Sequence, residues 1–270
     1  MKRQSSLFCL EGKVAVVTGA AGLLGQEHVI ALRDAGARVY GLDVNFKNWP
    51  IDGFGANVEK QKVDITDEND VREALLKITK QDGRCDIVVN NASLNPKVEE
   101  NNISSRDRIE NFDFSSWDTE LDVGLKGALI MAKHFGTFMS SHGGGVILNI
   151  ASDLSVIAPD QSLYQRPELE ESEQPVKPIT YSVIKTGLVG LTRYLAAYWA
   201  CKDVRVNALS PGGVFSDQPE EFVSRLNAKI PIGRMANAAD YRGAITFLCS
   251  DASSYLTGQN IVMDGGRSII

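Results

Sequence analysis

The stretch "TGAAGLLG", Thr18 to Gly25, lies between an apolar run, "KVAVV" (Lys13 to Val17), and a helical pattern, "QEHVIALRDAGA". A glycine-rich turn between a strand and a helix is where backbone amides and the helix N-terminus can hold the pyrophosphate of a dinucleotide. Its glycines are Gly19, Gly22 and Gly25, a GxxGxxG spacing in place of the more familiar GxGxxG. Gly19 allows a tight turn after the strand. Gly22 and Gly25 allow close backbone approach and close helix packing, the same tasks at altered spacing. Leu24, inside the same turn, joins them as a candidate cofactor contact.

Outward from that turn, strand-like and helical runs alternate almost to the end of the chain. "KVAVVT" is followed by a helix from about Leu23 to Ala35 that stops near Gly36. Further strands are expected at Ala37–Asp43, Lys60–Ile65, Cys85–Ala92, Val146–Ser152, Val204–Ser210 and Asn260–Asp264. Asp67 can N-cap a helix that Gly83 ends; a long helix runs from about Ser116 to His142, and another opens at Thr180. This alternation predicts an α/β fold, a three-layer doubly wound Rossmann arrangement with a mostly parallel seven-stranded sheet. Ligands should then sit beyond the carboxyl ends of the strands. No repeat or linker divides the chain, so residues 1–270 are expected to form one nucleotide-binding domain. One proline- and glutamate-rich excursion, about 159–178, breaks the rhythm.

Composition excludes several classes. A net charge of −6 without a basic cluster argues against nucleic acid. The longest apolar run, Thr186 to Ala200, is interrupted by Arg193 and too short for a bilayer, and the first 13 residues have too few apolar positions for a secretory core. A cytoplasmic location is expected, with Cys9, Cys85, Cys201 and Cys249 reduced. The three histidines have no ligand-like spacing, and no metal site is expected.

Asp43 ends the second strand 24 residues after Gly19, where a carboxylate can accept hydrogen bonds from adenosine ribose hydroxyls and repel a 2′-phosphate. That favours NAD over NADP. Asp64 with Ile65, and Asn90 with Asn91 and Ala92, close the third and fourth strands, where they either flank the adenine and ribose or cap loops. In "YSVIK", Tyr181 and Lys185 stand one helical turn apart on one face, and a nearby cation lowers a phenol's pKa. Ser152 ends the strand that precedes them.

Together the glycine turn, "NNAS" (Asn90 to Ser93), "ILNIAS", "YSVIK", "VRVNALSPGG" and "TGQNIVMDGG" resemble the short-chain dehydrogenase/reductase family over nearly the whole chain. The resemblance implies hydride transfer between a nicotinamide cofactor and an alcohol or carbonyl. It implies Tyr181 as general acid/base, Lys185 as the residue that holds the nicotinamide ribose and polarises the phenol, and Ser152 as the partner of the reacting oxygen. Pro211, Gly212 and Val214 match the turn beside the nicotinamide, followed by a substrate loop, "VFSDQPEEF".

Three departures stand out. TGxxGxxG belongs to the extended branch of the family, which includes nucleotide-sugar epimerases and dehydratases, while the body of the chain follows the compact branch. Gly124 stands where the family carries an asparagine whose backbone carbonyl is thought to hold a water. Since glycine keeps a carbonyl and eases a kink, Gly124→Asn is expected to fold and stay active. Finally, Tyr181 follows Ser152 by 29 residues, well beyond the usual family separation, because of the 159–178 excursion. That excursion is either a solvated loop or a substrate lid made acidic by Glu168, Glu170, Glu171 and Glu173.

The "SDLSVIAPD" segment and "DGGRSII" ending are similar to members of bacterial surface-sugar pathways, which points to a sugar or activated-sugar hydroxyl; a steroid, lipid or small polyol stays open. An NAD-recycling epimerase or dehydratase is the alternative activity, and a non-catalytic NAD sensor the third. Pairing through the two long helices, as a homodimer or homotetramer, is implied by the family. Tyr194, Tyr198 and Trp199 lie either at that interface or in the core.

Overall fold

The computed structural model describes residues 6–50, 54–94 and 107–270; the first five residues of the N-terminal stretch lie outside them. Seven parallel strands form one sheet in the order β3-β2-β1-β4-β5-β6-β7. They are β1 Val14–Thr18, β2 Arg38–Asp43, β3 Val58–Lys62, β4 Ile87–Asn90, β5 Gly145–Ile150, β6 Val204–Pro211 and β7 Asn260–Met263. Alternate residues of β1 enter two different cores, as a pleated strand buried on both faces requires. Ala15 and Val17 pack with Val29 and Leu32 of α1 (Leu23–Asp34) and with Ile245 and Leu248 of a C-terminal helix. Val14 and Val16 pack with Val71 and Ile78 of α2 (Glu68–Asp82) and with Met131, Phe135 and Met139 of the long helix α3 (residues 117–141). The strand order reverses direction between β1 and β4, which opens the crevice where ligands bind in such sheets.

The helix boundaries follow from local chemistry. The Asp67 carboxylate accepts from the amides of Asn69 (2.7 Å) and Asp70 (3.4 Å), and Gly83, at φ +73°, ends α2. α3, residues 117–141, is helical throughout but contains π turns at Asp122–Lys126 and Ala132–Gly136. α4 is Ile179–Tyr198, α5 Glu220–Asn227 and α6 Arg242–Cys249.

Several boundaries differ from the sequence expectation. β3 pairs from Val58 and ends at Lys62, because Asp64 turns the chain by accepting from the Thr66 amide and hydroxyl. β4 ends at Asn90, because the amides of Asn91 and Ala92 donate to the Thr18 hydroxyl instead of to a ladder. On α4, Tyr194 and Tyr198 are exposed and stacked, with centroids 6.1 Å apart, while Trp199 just beyond it is buried. No helix among the described residues is long and apolar enough to cross a membrane.

Candidate active site

The glycine turn is built by exclusion. Gly19 has φ +61°, and a Cβ there would meet the Ala92 Cα at 2.8 Å. A Cβ on Gly25 would fall 2.1 Å from the Gly19 carbonyl oxygen, so only glycine lets α1 pack onto the turn. Gly22 is the N-cap of α1 and offers no side-chain oxygen to the first-turn amides, one of which belongs to Leu24. Uncapped amides at a helix start, reached across a cradle that any side chain would fill, fit a pyrophosphate.

Thr18 and Asn91 hold that cradle, and both act through hydrogen bonds to it. The Thr18 hydroxyl accepts from the amides of Asn91 (3.0 Å) and Ala92 (3.1 Å). The Asn91 side-chain amide donates to the carbonyls of Thr18 (3.0 Å) and Gly19 (3.1 Å). Asn91 therefore braces the turn with its donor end. The glycine pattern alone assigns Thr18 no role; its position at the carboxyl end of β1 is the signal that could have found it.

Asp43 reaches the turn from β2. Its carboxylate accepts from the Ala21 amide (3.0 Å) and the Asn45 amide (3.1 Å), so the acid is fixed beside the glycines. Asp64 is exposed and capping its own turn, and Ile65 is buried against α3 beside Gly127, so both have packing or capping duties. Pro211 ends β6; the Gly212 amide donates to the Met263 carbonyl (3.0 Å), and Val214 bridges to Ala236.

Ser152, Tyr181 and Lys185 converge beyond β5. Ser152 is buried, donates its hydroxyl hydrogen to Asp153 Oδ1 (2.8 Å) and accepts from the Leu154 amide (3.2 Å). Tyr181 stands in the first turn of α4, beside Ser152. Lys185 is buried; its Nζ donates to the Ile150 carbonyl (2.9 Å) and lies 5.5 Å from the Tyr181 ring centroid. Burial pushes the Tyr181 phenol up, the Ser152 hydroxyl opposes that, and the Asp153 charge adds to it. Burial, with the Lys177 charge nearby, brings the Lys185 ammonium down to about 8.

Charged groups that the sequence reading missed surround this trio. Asp153 Oδ2 accepts from Arg267 Nη1 at 2.7 Å in a buried pair. Lys177 lies at the end of the 159–178 insertion with its Nζ 4.3 Å from the Tyr181 centroid. Glu168, Glu170, Glu171 and Glu173 of the insertion are exposed, and the charge it places over the Tyr181 ring is positive. Asp153 could have been suspected from its place after Ser152. Nothing in the local pattern announces Arg267, which is 114 residues away from its partner.

Gly124 is more tightly packed than its sequence position reveals. It lies in the first π turn of α3, and a Cβ there would meet Ile184 Cγ2 at 2.6 Å. The volume of the missing side chain is filled by the residue before Lys185, so asparagine does not fit without movement.

Two family models together match most of the chain. The family model described as short chain dehydrogenase covers residues 13–165, and that described as enoyl-(acyl carrier protein) reductase covers residues 171–268. The chain belongs to the short-chain dehydrogenase family. It is an oxidoreductase acting on alcohol groups with a nicotinamide cofactor. The D-threitol dehydrogenase of Mycolicibacterium smegmatis is 31% identical over 97% of this chain and 95% of its own. The NADP-dependent mannitol dehydrogenase of Hypocrea jecorina is 32% identical over 98% of this chain and 95% of its own. Among solved structures, a short chain dehydrogenase from Leptospira borgpetersenii with bound NAD+ superposes with a TM-score of 0.83 at 29% identity, covering 99% of this chain and 96% of that one.

Proposed function

We propose that this short-chain dehydrogenase oxidises a secondary hydroxyl of an open-chain polyol with NAD, through Ser152, Tyr181 and Lys185. The observation that carries the reading is the placement of the Tyr181 phenol between Ser152 and the Lys185 ammonium at the carboxyl end of β5. The relatives named for threitol and mannitol support a polyol over an activated sugar, and support net dehydrogenation over cofactor recycling. Asp43, fixed beside the glycine turn, supports NAD over NADP, because its carboxylate would repel a 2′-phosphate.

The nicotinamide, when bound, supplies the hydride acceptor; the glycine turn, Asp43, Lys185 and Pro211–Val214 would hold the dinucleotide. Tyr181 as phenolate takes the hydroxyl proton. Lys185, pinned by the Ile150 carbonyl, favours that phenolate by its charge. Ser152 has one hydroxyl hydrogen, shared at rest with Asp153, and turns it to the substrate oxygen as charge develops there. The Asp153–Arg267 pair fixes the carboxylate that Ser152 leaves. The exposed Tyr194–Tyr198 stack on α4 supports a homo-oligomer through the long helices.

NADH formation by purified protein with a panel of four- to six-carbon polyols, under NAD and under NADP, tests the reading. Tyr181-dependent NADH formation with one polyol is expected, and Tyr181→Phe should lower kcat by at least about 10²-fold. Turnover retained in that variant would refute the acid/base assignment. A kcat/KM for NADP equal to that for NAD would refute the role of Asp43.

A further inference from the structure

Lys177 closes the insertion within "PVKP", Pro175 to Pro178. A residue before proline is held extended, and Pro178 itself (φ −55°, ψ 137°) precedes the first turn of α4. The Lys177 amide donates to Gln161 Oε1 at 2.9 Å, tying the end of the insertion to its beginning. From that anchored backbone the side chain folds back over the catalytic ring. Its Nζ is 4.3 Å from the Tyr181 centroid, nearer than the 5.5 Å of Lys185. Two ammonium groups therefore flank one phenol.

We propose that Lys177 is a positioning residue for the acid–base step, whose ammonium on the face of Tyr181 stabilises the phenolate and sets the pH at which Tyr181 can take a proton. The inference rests on Tyr181 being the acid/base of the proposed function. A cation over an aromatic face is attracted by the ring quadrupole. Once the phenol ionises, the ring shares a full negative charge, so the attraction grows. That difference lowers the tyrosine pKa and raises that of the lysine. Tyr181 needs such help, since burial and the Asp153 charge both oppose its ionisation.

Among the described residues, three carboxylates facing Lys177 favour its ammonium form, which predominates near neutral pH. Burial brings it down to about 8, while the carboxylates of Asp107, Glu120 and Asp153 oppose the drop. Glu120 is itself held, accepting from Ser116 Oγ at 2.7 Å and from the Thr180 hydroxyl. Arg267 is paired with Asp153, and Tyr164, pushed up to about 12 by burial, stays neutral. Lys185 is the other cation, and the charge of Lys177 helps lower it. A phenolate between the two ammonium groups relieves their mutual repulsion.

The test reads Tyr181 directly, without substrate or cofactor. Tyrosinate ultraviolet absorbance of the full-length protein is titrated, and the same titration of each variant carrying Tyr181→Phe is subtracted. Lys177→Met should move the Tyr181 titration, and the matching limb of the kcat profile, up by about one to three pH units. Lys177→Arg keeps a permanent charge on the ring and should hold the titration at or below its original pH; it remains informative if the methionine variant does not fold. An unmoved titration in Lys177→Met, or a raised one in Lys177→Arg, would overturn the proposal. So would a variant whose KM rises for a sugar acid but not for a neutral polyol while Tyr181 titrates as before, since Lys177 would then be a carboxylate-binding group. Retained turnover in Tyr181→Phe would instead sink the underlying function.

Discussion

At Gly124 the family pattern has an asparagine, and this chain has no side chain at all; Ile184 Cγ2 stands 2.6 Å from where a Cβ would be. Overpacking a filled site costs about 1–3 kcal/mol, so Gly124→Asn should lower the urea midpoint by a corresponding amount. Ile184→Ala alone leaves a cavity, at roughly 2–5 kcal/mol. Combined, the two changes should destabilise less than their sum, because each relieves the other. Strict additivity in that double-mutant cycle would show that the two positions do not compete for one volume. The sequence displays the missing asparagine, but only the packing of α3 on α4 joins it to Ile184. The same limit hid Arg267: its partner Asp153 was visible beside Ser152, whereas a contact across 114 residues has no local signature.

Among the elements, the 159–178 insertion is held by more than its own loop contacts. Leu163 is buried with Leu226, Ile230 and Met235, and Tyr164 packs against Phe222 with centroids 5.5 Å apart. Asp160 pairs with Lys229 at 2.7 Å, and Arg225 donates to the Gln165 carbonyl at 2.6 Å. The insertion therefore moves with α5 and the segment after it. Leu163→Ala should cost about 2–3 kcal/mol locally, speed proteolytic cleavage within 159–178 and raise the substrate KM, with binding of the nicotinamide cofactor unchanged. Unchanged cleavage and KM would mean that this small cluster does not hold the insertion. Its proline and glutamate content marked it as irregular, but not which residues turn inward, since Leu163 stands alone between Ser162 and Tyr164 and Lys177 sits between Val176 and Pro178 with no periodic pattern around it. α5 and α6 escaped the sequence reading for a related reason. Each is only eight residues long, too short for periodicity to separate a helix from a turn. The π turns of α3 were equally silent; each contains a glycine, Gly124 or Gly136, against which a bulky side chain, Ile184 or Trp199, packs across sequence.

For the whole molecule, the parallel sheet was legible because most of its strands are short apolar runs, two of which, β1 and β6, run directly into a glycine; β3, with its Glu, Lys and Gln residues, is the exception. The two cores on its faces contain one group whose cost was not legible. His28, on α1 just beyond the glycine turn, is fully buried, and neither ring nitrogen has a hydrogen-bond partner among the described residues. Burial lowers it from the ordinary 6.5 to about 3, against a smaller opposing influence of Asn91. In the folded state it stays neutral down to about pH 3, while in the unfolded chain it takes a proton near 6.5. Between those values the unfolded state binds the extra proton, so stability present above 6.5 is lost as the pH falls. The slope from one such group is roughly 1.4 kcal/mol per pH unit. His28→Gln removes the titration, so the difference in stability between wild type and variant should shrink or reverse on going from about pH 7.5 to about pH 5. Urea unfolding at both pH values measures it, and carboxylates common to the two proteins cancel. Parallel losses would mean that His28 reaches water in the folded state, and that the packing behind the glycine turn is looser than its burial indicates.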